Sequence, residues 1–218
     1  MKYSSSKENY LKAIYHLQGE SKMVSTNSLA ASLQARPASV TDMLKKLKKE
    51  KLLHYEPYLG FRLNQEGKKV ALQIIRKHRL WEYFLVKKLH FGWDEVHEMA
   101  EELEHLTSTR LIDRLDRFLE FPQMDPHGDP IPDANGKLSQ LKQTSLLNLP
   151  FNRAFTVSGV SGQSQEMLEW LGQKNIRIGT RLEVRNKLPF DNSVEIKIKN
   201  QLPVTLSEQV AKNILVHE

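Results

Sequence analysis

The chain has 218 residues, 39% hydrophobic and 27% charged, with a formal net charge of +6, 8 His and no Cys. That length suits one large domain or two to three small ones. No apolar run is long enough to span a membrane, and the N-terminal MKYSSSKENY lacks the apolar core of a secretory signal. Without cysteine, disulfides and thiolate metal sites are excluded, which fits a cytoplasmic setting.

The charge is unevenly distributed. Residues 1–72 hold 13 Lys/Arg against 6 Asp/Glu, residues 73–145 hold 10 against 13, and residues 146–218 hold 9 against 7. A basic head followed by an acidic middle points to a polyanionic partner for the head.

In chain order, Tyr10, Leu11, Ile14, Tyr15 and Leu17 set a helix over 7–18. Ser25 or Thr26 caps a short second helix, NSLAASLQA. Proline suits a first helical turn, so Pro37 starts a third helix. It runs through ASVTDMLKKLKKEKLL with Val40, Met43, Leu44 and Leu47 as its buried stripe. LHYEPYLGFRLN reads as two short strands joined at Pro57–Gly60. Helix, helix, turn, helix and hairpin within about 65 residues form a winged helix-turn-helix pattern. Arg36, Pro37, Ser39 and Thr41 stand at the start of the third helix, where side chains reach base edges. Lys45, Lys48 and Lys49 flank its stripe and reach phosphates, as does Arg62 on the wing.

A long amphipathic helix follows over 66–90, then helices over about 94–106 and 108–120. Leu111, Ile112, Leu115, Phe118 and Leu119 are too many apolar residues for one side of so short a helix, which implies a homodimer. Residues 123–148, rich in Pro, Gly and Asp, read as a linker. FTVSGVS, RLEVRNK, SVEIKIKN and QLPVTLS then alternate in polarity as strands of a small β-barrel, with a helical turn at Ser164–Leu171. The fold class is mainly α with β. A winged helix-turn-helix DNA-binding domain occupies 1–72, a helical metal-binding and dimerisation domain 73–140, and an SH3-like barrel 150–218.

Metal-ligating residue types concentrate in the acidic middle. His97, Glu101, Glu104 and His105 lie at i, i+4, i+7 and i+8, within an arc of about 100° on one helix face. His78 and Glu82 lie four apart on the preceding helix. Imidazole nitrogens and carboxylate oxygens together suit a divalent transition metal. Enzyme patterns fit less well. A zinc peptidase of the H-E-x-x-H type needs histidine at 101, where this chain has glutamate, and no G-x-S-x-G or phosphate-binding glycine loop occurs.

The stretches ENYLKAIYHL, RPASVTDMLKKL, RKHRLWEYFL, VHEMAEELEH and PHGDPIP, in this order over residues 8–132, resemble the diphtheria toxin repressor family of metal-dependent transcriptional regulators. NIRIGTRLEV resembles the family's C-terminal SH3-like domain. The resemblance implies a repressor of metal-uptake genes, binding double-stranded palindromic DNA as a dimer with two ions per subunit. One ion would be held by Glu101, Glu104 and His105 with Asn9 from the first helix, the other by His78, Glu82 and His97. Asn9 stands where manganese regulators often have aspartate and iron regulators methionine, and Lys12 where some manganese regulators have a ligating glutamate. In longer family members the barrel lends a carboxylate and an amide to the second site, at positions that fall on Ser164 and Met167 or, with a slipped register, on Gln165 or Glu166. Iron-type members carry cysteine at the position of Glu101. A carboxylate there favours Mn²⁺ over softer ions, with Fe²⁺ the alternative.

Overall fold

The computed structural model describes residues 3–19, 23–56, 58–139 and 142–217. Two compact units emerge. The first comprises residues 1–81, 101–121 and 132–138; the second comprises 82–100, 122–131 and 139–218.

In the first unit, α1 (Ser5–Gln18), α2 (Thr26–Ser32) and α3 (Pro37–Lys49) precede a hairpin of β1 (Leu53–Glu56) and β2 (Gly60–Leu63). Ser4 and Ser25 cap α1 and α2 through their side-chain oxygens, and Pro37 opens α3. Leu11, Ile14, Leu29, Val40, Leu47 and Phe61 form the core that joins these elements. Of the expected α3 stripe, Val40 and Leu47 are buried and Met43 and Leu44 pack partly buried against that core.

Helix α3 ends four residues before the expected Leu53. Lys51 turns left-handed at φ 56°, Leu52 N–H bonds the Leu47 carbonyl at 3.0 Å and Lys51 N–H bonds that of Lys48 at 3.0 Å. This is the Schellman arrangement with lysine in the usual glycine position. It releases Leu53 into β1, whose register with β2 runs from Leu53↔Leu63 to Glu56↔Gly60. Gly60, at φ 116°, lies so near Val24 that a Cβ would stand 2.3 Å from the Val24 carbonyl oxygen. Only glycine permits the Val24–Phe61 bridge that anchors the wing. Pro57, expected in the wing turn, lies outside the described residues.

Helix α4 (Gln65–Leu89) and helix α5 (Val96–Leu106) contribute to both units, whereas α6 (Thr109–Phe118) belongs to the first. Arg76 on α4 is buried and forks to Asp113 at 3.0 Å and Asp116 at 2.8 Å, fastening α4 to α6. Ile112 and Leu115 face inward from α6, while Leu111 and Phe118 are exposed.

The second unit is built on a six-stranded antiparallel sheet. Its strands are β3 (Thr144–Ser145), β4 (Ala154–Val160), β5 (Arg181–Lys187), β6 (Val194–Ile198), β7 (Val204–Leu206) and β8 (Ile214–His217), in the order β3-β8-β4-β5-β6-β7. Helices α7 (Gln165–Gln173) and α8 (Glu208–Asn213) connect strands, capped by Ser164 and Ser207. Phe155, Val157, Leu168, Leu171, Val184 and Ile196 fill its core together with Trp93.

Residues 122–131 are no loose linker. Asp125 Oδ1 accepts the backbone N–H groups of His127 at 2.8 Å and Asp129 at 3.0 Å, and Met124 bridges Pro130. The loop is pinned to β4 where Val160 N–H bonds the His127 carbonyl at 2.9 Å. Among the described residues no helix is long and apolar enough to cross a membrane.

Candidate metal centres and nucleic-acid interface

The expected DNA-reading residues all lie on the surface: Arg36, Pro37, Ser39, Thr41, Lys45, Lys48 and Lys49 on or beside α3, and Arg62 on β2. Thr41 Oγ1 donates to the Pro37 carbonyl at 2.9 Å, and Lys48 Nζ lies 5.1 Å from the Tyr55 ring centroid. The helix thus presents a polar start and a lysine-rich flank beside the wing. Tyr58, fully exposed, and Leu59 form the described tip.

In the first unit, ligand atoms of Glu101, Glu104 and His105 all lie within 4.8 Å of one another. Glu104 is wholly buried. Its Oε2 meets His78 Nδ1 at 2.8 Å and its Oε1 accepts from Lys12 Nζ at 2.8 Å; Lys12 also bonds Glu101. His105 Nδ1 lies 2.7 Å from Glu8 Oε2. A carboxylate only accepts, so Nδ1 carries the proton directed at Glu8. His105 Nε2 is buried, 3.4 Å from Glu104 Oε1, and makes no hydrogen bond. The buried Asn9 Oδ1 on α1 likewise has no hydrogen-bond partner among the described residues. Unpaired buried acceptors are costly. A divalent cation would satisfy the orphaned imidazole nitrogen beside two carboxylates, so this donor set fits a metal. The Glu8–His105 pair has the form of a carboxylate that orients a ligating histidine.

A second cluster lies in the second unit. Glu82, Asp125 and His127, all buried, also bring ligand atoms within 4.8 Å of one another. His127 Nε2 donates to the Trp93 carbonyl at 2.7 Å, so Nδ1 is the nitrogen that would offer a lone pair once its proton is lost. Nδ1 has no hydrogen-bond partner and lies 3.7 Å from Glu82 Oε2. Burial opposes protonation of this imidazole, but Glu82, the charge of Asp125 and the Trp93 carbonyl outweigh it and hold its pKa at about 8. At 3.7 Å the pull of Glu82 is Coulombic. His97 Nδ1 stands 3.3 Å from Glu82 Oε1 on a half-exposed side chain.

His78 Nδ1 meets Glu104 Oε2, and Glu82 faces both His97 and His127. Sequence reasoning missed Glu8, Asp125 and His127. Asp-Pro-His-Gly-Asp carried a usable signal, because an Asp two residues before a turn residue folds its carboxylate onto the backbone. At the barrel positions, Ser164 Oγ caps α7 by accepting Met167 N–H.

Comparison with known proteins agrees with these features. Residues 2–61 match the family described as iron dependent repressor, N-terminal DNA binding domain. Residues 64–133 match its metal binding and dimerisation domain, and residues 144–218 match the FeoA domain. The HTH-type transcriptional regulator MntR of Geobacillus thermodenitrificans is 33% identical over 120 residues, covering 55% of this chain and 84% of that protein. The diphtheria toxin repressor of Corynebacterium efficiens is 27% identical over 190 residues, 83% of each chain. A solved manganese-dependent transcriptional repressor in complex with manganese superposes with a TM-score of 0.87 at 34% identity, covering 96% of this chain and 98% of that one. With the winged head, the helical donor clusters and the C-terminal SH3-like sheet all in family order, the chain belongs to the diphtheria toxin repressor family of metal-dependent transcriptional repressors.

Proposed function

We propose that this chain is a cytoplasmic, Mn²⁺-activated repressor of metal-uptake genes that binds a palindromic operator as a homodimer. In this reading residues 1–72 contact DNA, 73–140 bind metal and dimerise, and 150–218 form the SH3-like part. Each subunit takes two ions. One is held by Asn9, Glu101, Glu104 and His105, with His78 orienting Glu104. The other is held by Glu82, Asp125 and His127, with His97 at its edge.

The observation that carries the proposal is the pair of buried ligand atoms without a hydrogen-bond partner, Asn9 Oδ1 on α1 and His105 Nε2 on α5. An ion taken by both would tie the DNA-reading half to the metal-binding helix. Oxygen and imidazole donors without a thiolate favour a hard ion, and Mn²⁺ is the ion named for the structural relative. The exposed Leu111 and Phe118 on α6 supply apolar surface for a second copy.

The test is binding to a duplex selected from random DNA in the presence of Mn²⁺, followed by anisotropy with Mn²⁺, Fe²⁺, Zn²⁺ or chelator. Mn²⁺ should raise affinity for wild type and not for Glu104→Gln. Equal binding in chelator overturns the reading.

A further inference from the structure

Lys12 is bonded to both Glu101 and Glu104. Its ammonium reaches from α1 to Glu104 Oε1 at 2.8 Å and to Glu101 Oε1, and the lysine side chain is only 13% exposed. Glu104 Oε2 is already engaged by His78 Nδ1 at 2.8 Å. That leaves Oε1 as the oxygen a metal would take, and it is also the oxygen facing His105 Nε2 at 3.4 Å. Ammonium and ion therefore need the same lone pairs. Two cations sharing one buried carboxylate oxygen repel strongly where the local dielectric is low. A wholly buried Glu104 must also be paired whenever no ion is bound, and Lys12 supplies the pairing.

We propose that Lys12 is an intramolecular occupant of the cation position in the Glu101–Glu104–His105 cluster. A divalent ion enters by displacing its ammonium group, so Lys12 sets the ion concentration at which the protein responds. The proposal rests on the metal-site reading given above. It differs from a plain clamp between α1 and α5, because a clamp that helps to build the site would weaken metal binding when removed.

The experiment compares wild type, Lys12→Met, Lys12→Gln, Lys12→Arg and Glu104→Gln. Mn²⁺ affinity and stoichiometry come from the electron paramagnetic resonance of free Mn²⁺. Paramagnetic broadening of the His105 ring protons reports this cluster apart from the Glu82 cluster, and melting in chelator reports folding. Lys12→Met and Lys12→Gln should each bind Mn²⁺ at least tenfold more tightly and melt lower in chelator, while Lys12→Arg stays within threefold of wild type. Unchanged or weaker binding in both neutral variants overturns the proposal, as does uptake of an additional ion with the first affinity unchanged. If Glu104→Gln binds like wild type at His105, the site reading falls and the proposal with it. If Glu104→Gln loses binding while the neutral lysine variants match wild type, the site stands and the role of Lys12 falls.

Discussion

Stability in the absence of divalent ions should depend on the protonation of His127. This imidazole is buried, which alone would lower its pKa, yet Glu82, Asp125 and the Trp93 carbonyl hold it at about 8 against an ordinary 6.5. That difference corresponds to about 2 kcal/mol at roughly 1.4 kcal/mol per pH unit. Because the folded-state value lies above the unfolded one, protonation favours the folded protein. The contribution is complete below about pH 6.5 and is lost as pH rises through 8. The assay is a proton NMR titration of the His127 ring in chelator, alongside urea melts across the same range. Glu82→Gln removes the largest favourable influence, so burial should dominate and the pKa should drop below its wild-type value. Ion binding at Nδ1 must expel the proton. Calorimetry at pH 7 in buffers of different ionisation enthalpy should therefore show about one proton released at this cluster. A wild-type His127 that titrates at or below 6.5 would refute the reasoning.

Further outcomes follow from the same geometry. Glu8→Gln removes the carboxylate that fixes the His105 tautomer, and Mn²⁺ affinity measured by calorimetry should fall about 10- to 100-fold. Arg36→Ala should cost about 1–3 kcal/mol on the selected duplex only, whereas Lys48→Ala should weaken all duplexes alike and reduce the salt slope by about one. Anisotropy over a range of salt concentrations separates the two. Gly128→Ala should destabilise by at least about 2 kcal/mol in urea melts, because Gly128 sits at φ 88° with a Cβ position 2.0 Å from the Ser158 carbonyl oxygen.

Most of the architecture was legible because its elements are long and amphipathic. Helices α4, α5 and α6 fall within two residues of their expected bounds, since burial at Ala71, Ile74 and Ile75, or at Val96 and Ala100, repeats with the helical period. The end of α3 was hidden because its left-handed residue is Lys51 and no glycine marks the stop. Strand β8 and helix α8 were hidden by shortness: Ile214 and Val216 are the only buried alternating pair in the strand, and β3 has just two residues. For the site, the α5 donors could be read from their spacing on one helix. Asp125 and His127 could not, because a loop has no period, and what places them near Glu82 is the pinning of His127 to β4.

Helix α1 is where the two halves of the proposed function meet. Its apolar face, Leu11 and Ile14, lies in the core shared with α3 and the wing, and its Gln18 Oε1 accepts from Leu63 N–H of β2 at 2.8 Å. Its polar residues Glu8 and Lys12 bond to His105, Glu101 and Glu104. One rigid element thus carries packing toward the DNA-reading residues on one side and metal-site contacts on the other. Packed cores switch between arrangements more readily than they deform. The proposed change of partner at Glu104, from ammonium to metal, would therefore act on the placement of α3 through the body of α1. If the ion raises affinity for the operator by this route, the operator raises affinity for the ion by the same factor, because the two equilibria share one coupling free energy.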